Sequence, residues 1–149
     1  MSVFSIFQIA NQGMSAQRER LEAAAANLAN ANSTRTEEGG PFRRRDVVFR
    51  ATEIEESWRS VARSRGLETG DPAVGVTTTV EKAAEDAFSL QYKPGHPDAD
   101  KNGYVKMPAI EPLEETVNML SATRSFEANA TAFNTAKDIA RVSLGLGDA

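Results

Sequence analysis

The segment Gly95-His-Pro-Asp-Ala-Asp-Lys-Asn-Gly-Tyr104 is the stretch whose residue types and spacing come nearest to chemistry. Asp98, Asp100 and Asn102 set oxygen ligands at alternate positions, and Gly103 follows where a calcium loop needs a sharp bend. The twelfth position of such a loop supplies a bidentate acid, and here it is Ala109. Pro94, Gly95 and Pro97 leave no entering helix. The reading that survives is an Asx-type turn between two strands, with a small calcium-binding module as the rival. His96 is the single histidine, so a two-histidine metal site is excluded. The chain has no G-x-S-x-G elbow, no G-x-x-x-x-G-K-[ST] loop and no G-x-G-x-x-G. The carboxylate pairs Glu55-Glu56 and Glu85-Asp86 fall in polar stretches and read as solvated charge. No catalytic, cofactor-binding or metal-ligating residue is expected, no cofactor is implied, and the chain does not read as an enzyme.

A second reading of the same turn comes from His96-Pro97-Asp98, which resembles the tripeptide of J-domain co-chaperones. That family sets it directly after a basic amphipathic helix, whereas Lys93-Pro94-Gly95 breaks any helix here. Composition narrows the field further. The formal net charge of −4 argues against a nucleic-acid partner, which rewards a basic face. The one basic run, Arg43-Arg44-Arg45, reads as the solvated edge of a strand without an aromatic platform. There is no cysteine, which removes disulfides and thiolate metal sites and fits a protein that works outside the cytosol. The opening MSVFSIFQIANQGM lacks the basic start of a secretory signal. No run approaches the roughly 18 apolar residues of a spanning helix, so direct membrane insertion is not expected.

The elements that must position these residues fall into three zones. Residues 1–33 form an N-terminal helical zone in which Phe7, Ala10, Met14, Leu21, Ala24 and Leu28 recur at spacings of three and four, with Gln17 the polar member. Residues 34–111 form a β and loop zone. Gly39-Gly40-Pro41 is expected to break the preceding helix. Strands are predicted around Val47-Val48-Phe49, from Val74 to Val80, from Phe88 to Tyr92 and from Tyr104 to Met107, and a long mobile loop from Thr52 to Pro72. Residues 112–149 form a C-terminal helical zone. Pro112 and the acids Glu114 and Glu115 suit its start, Gly145 and Gly147 its end, and Met119, Ala122, Phe126, Phe133, Ala136 and Ala140 its seam, with Asn129 inside it. The fold class is α+β: two long terminal helices forming a coiled-coil-like core, with a small β-rich middle.

Seven of the eight asparagines lie in the helical zones, among them Asn27, Asn30 and Asn129. Asparagine disfavours helix by about 0.6 kcal/mol relative to alanine, and amides on close-packed helices can bond across and fix register. A 30-residue helix is about 45 Å long, against a diameter near 40 Å for a compact domain of this size. An extended helix pair has lateral surface that its own chain cannot cover, and neighbouring copies are the natural cover. Phe7, Ala10, Met14, Leu21, Ala24, Asn27, Leu28 and Asn30, with Met119, Ala122, Phe126, Asn129, Phe133, Ala136 and Ala140, are the predicted subunit-interface residues.

The same residues carry a family likeness. Gln12-Gly-Met-Ser-Ala-Gln-Arg18 followed by Ala26-Asn-Leu-Ala-Asn-Ala-Asn-Ser-Thr34 resembles the N-terminal motif of the flagellar axial family, the rod and hook proteins. Gly40-Pro-Phe-Arg-Arg-Arg-Asp-Val-Val-Phe49 and Tyr92-Lys-Pro-Gly-His-Pro-Asp-Ala-Asp-Lys-Asn-Gly-Tyr-Val105 are similar to segments of its C-type proximal-rod members. Glu115-Thr-Val-Asn-Met-Leu-Ser-Ala-Thr-Arg-Ser-Phe-Glu-Ala-Asn129 resembles the axial C-terminal motif. Ala109, Thr116, Phe42 and Phe126 stand where the family usually has asparagine, methionine and two tyrosines. The resemblance implies a structural subunit of a hollow helical tube, the proximal rod of the basal body, which transmits torque and passes exported subunits. It implies passage through the flagellar type III export apparatus without a cleaved signal peptide, and assembly in the periplasm. It implies as partners other copies of the chain, other rod proteins and the adaptor between rod and membrane ring. A distal rod or hook subunit is the nearest alternative. Terminal zones that await partners are expected to be partly disordered in the free monomer.

Overall fold

A computed structural model of the chain describes residues 3–54, 57–66 and 72–145. The element order is α1 (Val3–Ala29), β1 (Arg45–Ile54), α2 (Ser57–Ser64), β2 (Ala73–Lys82), β3 (Phe88–Tyr92), β4 (Tyr104–Pro108) and α3 (Pro112–Gly145). This is the α+β architecture expected, two long terminal helices with a β middle of two two-stranded sheets, β1-β2 and β3-β4.

Two compact units divide the chain. One takes α1 up to Arg18, the segment Phe49–Thr78 and α3 from Thr123; the other takes Glu19–Val48 and Thr79–Ala122. In the first, the Phe7 and Phe133 rings meet with centroids 4.9 Å apart and planes tilted by 54°. There the Gly13 backbone also lies against the Asn129 side chain. In the second, Arg20 donates to Asn118 at 3.0 Å, and Asn27 donates to Glu115 at 3.2 Å. Partner numbers fall along α3 as they rise along α1, so in each unit the helices run antiparallel.

α1 stops at Ala29, ten residues before the first of the two glycines expected to break it. Asn30 ends it instead. Its side-chain amide donates to the Ala26 carbonyl at 2.9 Å, and Ser33 Oγ donates to Asn30 Oδ1 at 3.0 Å. An asparagine that bonds its own backbone competes with the helix ladder. Gly39 and Gly40, at φ +86° and +75°, make a separate tight turn closed by a bond from Thr36 N to Gly40 O.

The expected loop from Thr52 to Pro72 is corrected in part. β1 continues to Ile54, which is buried, and α2 occupies Ser57–Ser64. Polar composition suggested a loop, but Ile54 supplies an anchor for the strand end, and burial of such a residue outweighs weak local propensity. The rest of that stretch falls partly outside the described residues.

β3 and β4 pair antiparallel from Phe88↔Pro108 to Tyr92↔Tyr104. Strand alternation sends Val105 and Met107 to one face, where both are buried. Leu90, Tyr92 and Tyr104 lie on the other, exposed, with the two tyrosine rings 5.4 Å apart edge to face.

α3 begins at Pro112, with Glu114 and Glu115 in its first turn, and its last helical residue is Gly145. Gly147 lies outside the described residues. The helix is apolar on two opposite faces. At 100° per residue, Met119, Ala122, Phe126, Asn129, Phe133, Ala136 and Ala140 share one face, and Leu113, Val117, Leu120, Ala128, Ile139 and Val142 cluster on the opposite one.

Candidate subunit interface

The predicted interface residues sort by unit. Phe7, Ala10 and Met14 of α1, with Phe126, Asn129, Phe133, Ala136 and Ala140 of α3, belong to the first unit. Leu21, Ala24, Asn27, Leu28 and Asn30, with Met119 and Ala122, belong to the second. Ala10, Ala24, Asn27, Ala122 and Ala136 are buried by their own chain. Phe7, Met14, Leu21, Leu28, Asn30, Met119, Asn129, Phe133 and Ala140 are half-buried, and Phe126 is exposed. The structure brings Phe7 against Phe133 and Asn129 against the Gly13 backbone in the first unit, and Asn27 against Glu115 in the second. The Asn30 amide is bonded to its own helix.

The deepest polar side chains form a node in the second unit. Asn27 and Glu115 are each only 1% exposed. Asn27 Oδ1 accepts from Arg45 N at 2.8 Å, and Asn27 Nδ2 donates to Arg45 O at 2.9 Å, so the amide pairs with both backbone groups of one β1 residue, as a neighbouring strand would. The same Nδ2 donates to Glu115 Oε2 at 3.2 Å, and Arg44 Nε donates to Glu115 Oε1 at 2.8 Å. Arg44 also bonds Asp46. Burial works against the Arg44 charge, but the hydrogen bond to Glu115 and the charges of Asp46 and Glu115 outweigh it and hold its pKa above the ordinary value.

This revises the reading of the basic run as a solvated strand edge. Arg44 is paired to a buried carboxylate, and Arg43 Nε donates to the Ala83 carbonyl at 2.8 Å. Arg45 remains exposed, yet its guanidinium lies 5.6 Å from the centre of the Phe42 ring, an aromatic neighbour the sequence reading passed over. Local sequence showed three like charges but not Glu115, which lies 71 residues from Arg44.

The turn before β4 spends its polar groups on itself and on its neighbour. Asp100 Oδ1 accepts from Asn102 N and Tyr104 N, each at 2.8 Å, which is the Asx turn expected. Asp98 Oδ2 accepts from Thr34 Oγ1 at 2.8 Å, and His96 Nδ1 accepts from Asp98 N at 3.1 Å. Among the described residues no group of three or more acids, histidines or cysteines could hold a metal ion. No helix among them is long and apolar enough to cross a membrane.

The second surface that sequence reasoning missed is the outer face of α3. Leu113 is 70% exposed and Val142 64%, and Val117, Leu120 and Ile139 are exposed as well. The signal was present in the sequence: α3 carries apolar residues on both sides, where an ordinary surface helix carries them on one.

An outward apolar face on a long terminal helix marks an assembly surface, and comparison with known proteins points to a structural protein. Residues 7–35 match the family model described as flagella basal body rod protein, and residues 101–146 match that of the flagellar basal body rod FlgEFG protein C-terminal. The flagellar basal-body rod protein FlgC of Salmonella typhimurium is 41% identical over 147 residues, covering 99% of each chain. The FlgC proteins of Borreliella burgdorferi and Bacillus subtilis are 35% and 34% identical, covering 98% and 99% of each chain. The chain belongs to the FlgC family of flagellar basal-body rod proteins, structural subunits of the proximal rod.

Proposed function

We propose that the chain enters a hollow helical tube through the outer face of α3, with the inner seam spent on holding α1 and α3 together. The observation that carries this reading is the doubly apolar α3. One face is covered by its own chain, and the other leaves Leu113, Val117, Leu120, Ile139 and Val142 exposed. Full burial of each such side chain is worth about 2 kcal/mol, enough in sum to hold a neighbour. Leu113, Val117 and Leu120 in the second unit and Ile139 and Val142 in the first make two exposed apolar patches, and such patches mark interaction sites. Phe126, exposed on the opposite face, and the half-buried Phe7, Phe133 and Ala140 would meet neighbours separately from that stripe.

In this reading the neighbours are other copies of the chain, other rod proteins and the adaptor between rod and membrane ring. The tube carries torque through many parallel helix contacts and passes exported subunits. The chain reaches the periplasm through the flagellar export apparatus without a cleaved signal peptide. Its role is structural and not catalytic, a reading supported by its relatives, which are flagellar basal-body rod proteins.

The test is Val117→Asp with Leu120→Asp, both at positions exposed in the isolated chain. The variant should keep the helical signal of the parent chain, yet be missing from isolated basal bodies and fail to restore swimming. Full motility with the variant present in the rod would refute the outer-face reading.

A further inference from the structure

We infer that Asn102 and Gly103 form the chain's deamidation site, and that the turn closed by Asp100 holds that site shut. Of the eight asparagines only Asn102 precedes a glycine. The other seven precede residues with side chains, which obstruct the approach of the following nitrogen to the amide carbon. The reaction is intramolecular. The Gly103 nitrogen attacks Asn102 Cγ, a new C–N bond closes a succinimide, and the side-chain nitrogen leaves as ammonia with the proton that Gly103 gave up. Water then opens the ring at either carbonyl and yields aspartate or isoaspartate. Water is the only co-reactant.

The hairpin itself calls for the vulnerable pair. Gly103 sits at φ +82°, where a Cβ would lie 2.9 Å from the Tyr92 ring and 3.1 Å from Pro94 Cβ, so the turn requires glycine there. Asn102 beside it is exposed and open to water. The residue that lets the chain turn is also the one that leaves the preceding amide easiest to attack.

The same turn withholds the geometry of attack. The Gly103 nitrogen has to shed its proton and swing towards Asn102 Cγ by rotation of the backbone between the two residues. In the structure that N–H donates to the Asp100 carbonyl at 3.0 Å, and the Gly103 carbonyl accepts from Lys93 N at 2.8 Å. To either side, Asn102 N and Tyr104 N both donate to Asp100 Oδ1 at 2.8 Å. Asp100 N donates to the Tyr104 carbonyl at 2.8 Å. The peptide is pinned at both ends and its proton is already committed. Reaction therefore proceeds only from a locally opened turn, at a rate set by how often these bonds let go together. Isoaspartate adds a backbone methylene where two amides converge on one carboxylate oxygen, so a turn that has reacted cannot close in the same way.

The test follows deamidation of the full chain by peptide mass spectrometry, in mildly alkaline buffer and in concentrated urea. In urea Asn102 should react before every other asparagine. In buffer it should react at least about ten-fold more slowly, because opening must break several bonds at once. Asp100→Ala removes the side-chain acceptor and should speed the reaction in buffer on the order of five-fold, with the urea rate unchanged. Asp100→Asn keeps an oxygen at the same place and should stay close to the parent. Should Asp100→Ala open the hairpin altogether, Asp100→Asn decides, since the guard requires it to retain the slow rate. Equal rates for the parent in buffer and urea, an unaltered rate in Asp100→Ala, a fast rate in Asp100→Asn or another asparagine reacting first in urea would each overturn the inference.

Discussion

The turn from Gly95 to Tyr104 and the node of Asn27, Arg44 and Glu115 are two polar clusters of the second unit, and they differ in how they are built. The side-chain bonds in the turn link residues within a few positions, apart from the one from Thr34 to Asp98. The cluster is exposed, and its carboxylates accept from protein donors. The node joins residues 18, 71 and 88 positions apart, and two of its side chains are sealed from water. The turn has the look of a motif and serves to shape a hairpin. The node has no motif and ties the end of α1, the start of β1 and the start of α3 to one another. Residue types that suggest chemistry locally are here the least consequential for the fold, and the long-range polar contacts are the most.

The widest gap between the two should show in Glu115→Ala. Removing one partner of a buried ion pair costs about 3–5 kcal/mol, and the partial exposure of Arg44 reduces this to about 2–3 kcal/mol. Chemical denaturation of the variant should register that loss, while Asp98→Ala in the turn should cost under about 0.5 kcal/mol. Equal effects would erase the contrast. Next in size is Gly103→Ala. Gly103 sits at φ +82°, and a Cβ there would lie 2.9 Å from the Tyr92 ring and 3.1 Å from Pro94 Cβ. A loss of about 1–2 kcal/mol is expected, confined to β3 and β4 and read by hydrogen exchange of their amides, with α1 and α3 unaffected.

What the sequence disclosed follows the range of the interactions. The hairpin strand Phe88–Tyr92 was readable to the residue, and α3 to within one residue, because Pro112, Glu114 and Glu115 mark its start and Gly145 its end. The seams at Phe7–Leu28 and Met119–Ala140 were readable from their three-four spacing. Their partner was not, because the same spacing serves a helix of the same chain or of a neighbour. Asn27 was picked out as a polar residue on a close-packed helix, but nothing near it in sequence pointed to the Arg45 backbone or to Glu115. α2 was lost among the polar residues of a stretch that reads as loop. The outer stripe of α3 was legible and went unused: once one apolar face had explained the helix, the second, at Leu113, Val117, Leu120, Ile139 and Val142, needed its own account.

The turn can be probed at its own scale by Asp100→Ala, which removes the acceptor for Asn102 N and Tyr104 N. Those bonds are exposed, so the expected loss is about 1 kcal/mol, below that of Gly103→Ala. Millimolar calcium should leave the melting temperature of the parent chain unchanged. A ligand at a hundred times its dissociation constant adds about 2.7 kcal/mol, so a calcium site would announce itself as a shift of several degrees and would reverse the ranking of turn and node.

The smallest effect should come from an ion pair that belongs to neither cluster. Lys82 Nζ meets Glu38 Oε1 at 2.6 Å, with both side chains largely in solvent. The hydrogen bond from Lys82, and then its charge, hold the Glu38 carboxyl below its ordinary value of 4.5. A carboxylate whose pKa is lower in the folded chain stabilises the fold above the unfolded value, and that contribution fades as pH falls through the folded value. Glu38→Gln should therefore match the parent in stability below that window and fall slightly short of it above pH 5, by an amount that shrinks with added salt. Parallel denaturation curves at pH 7 and pH 3.5, each at low and high salt, measure this directly. A deficit as large as that of Glu115→Ala would mean that an exposed pair in this chain does the work assigned to the buried node.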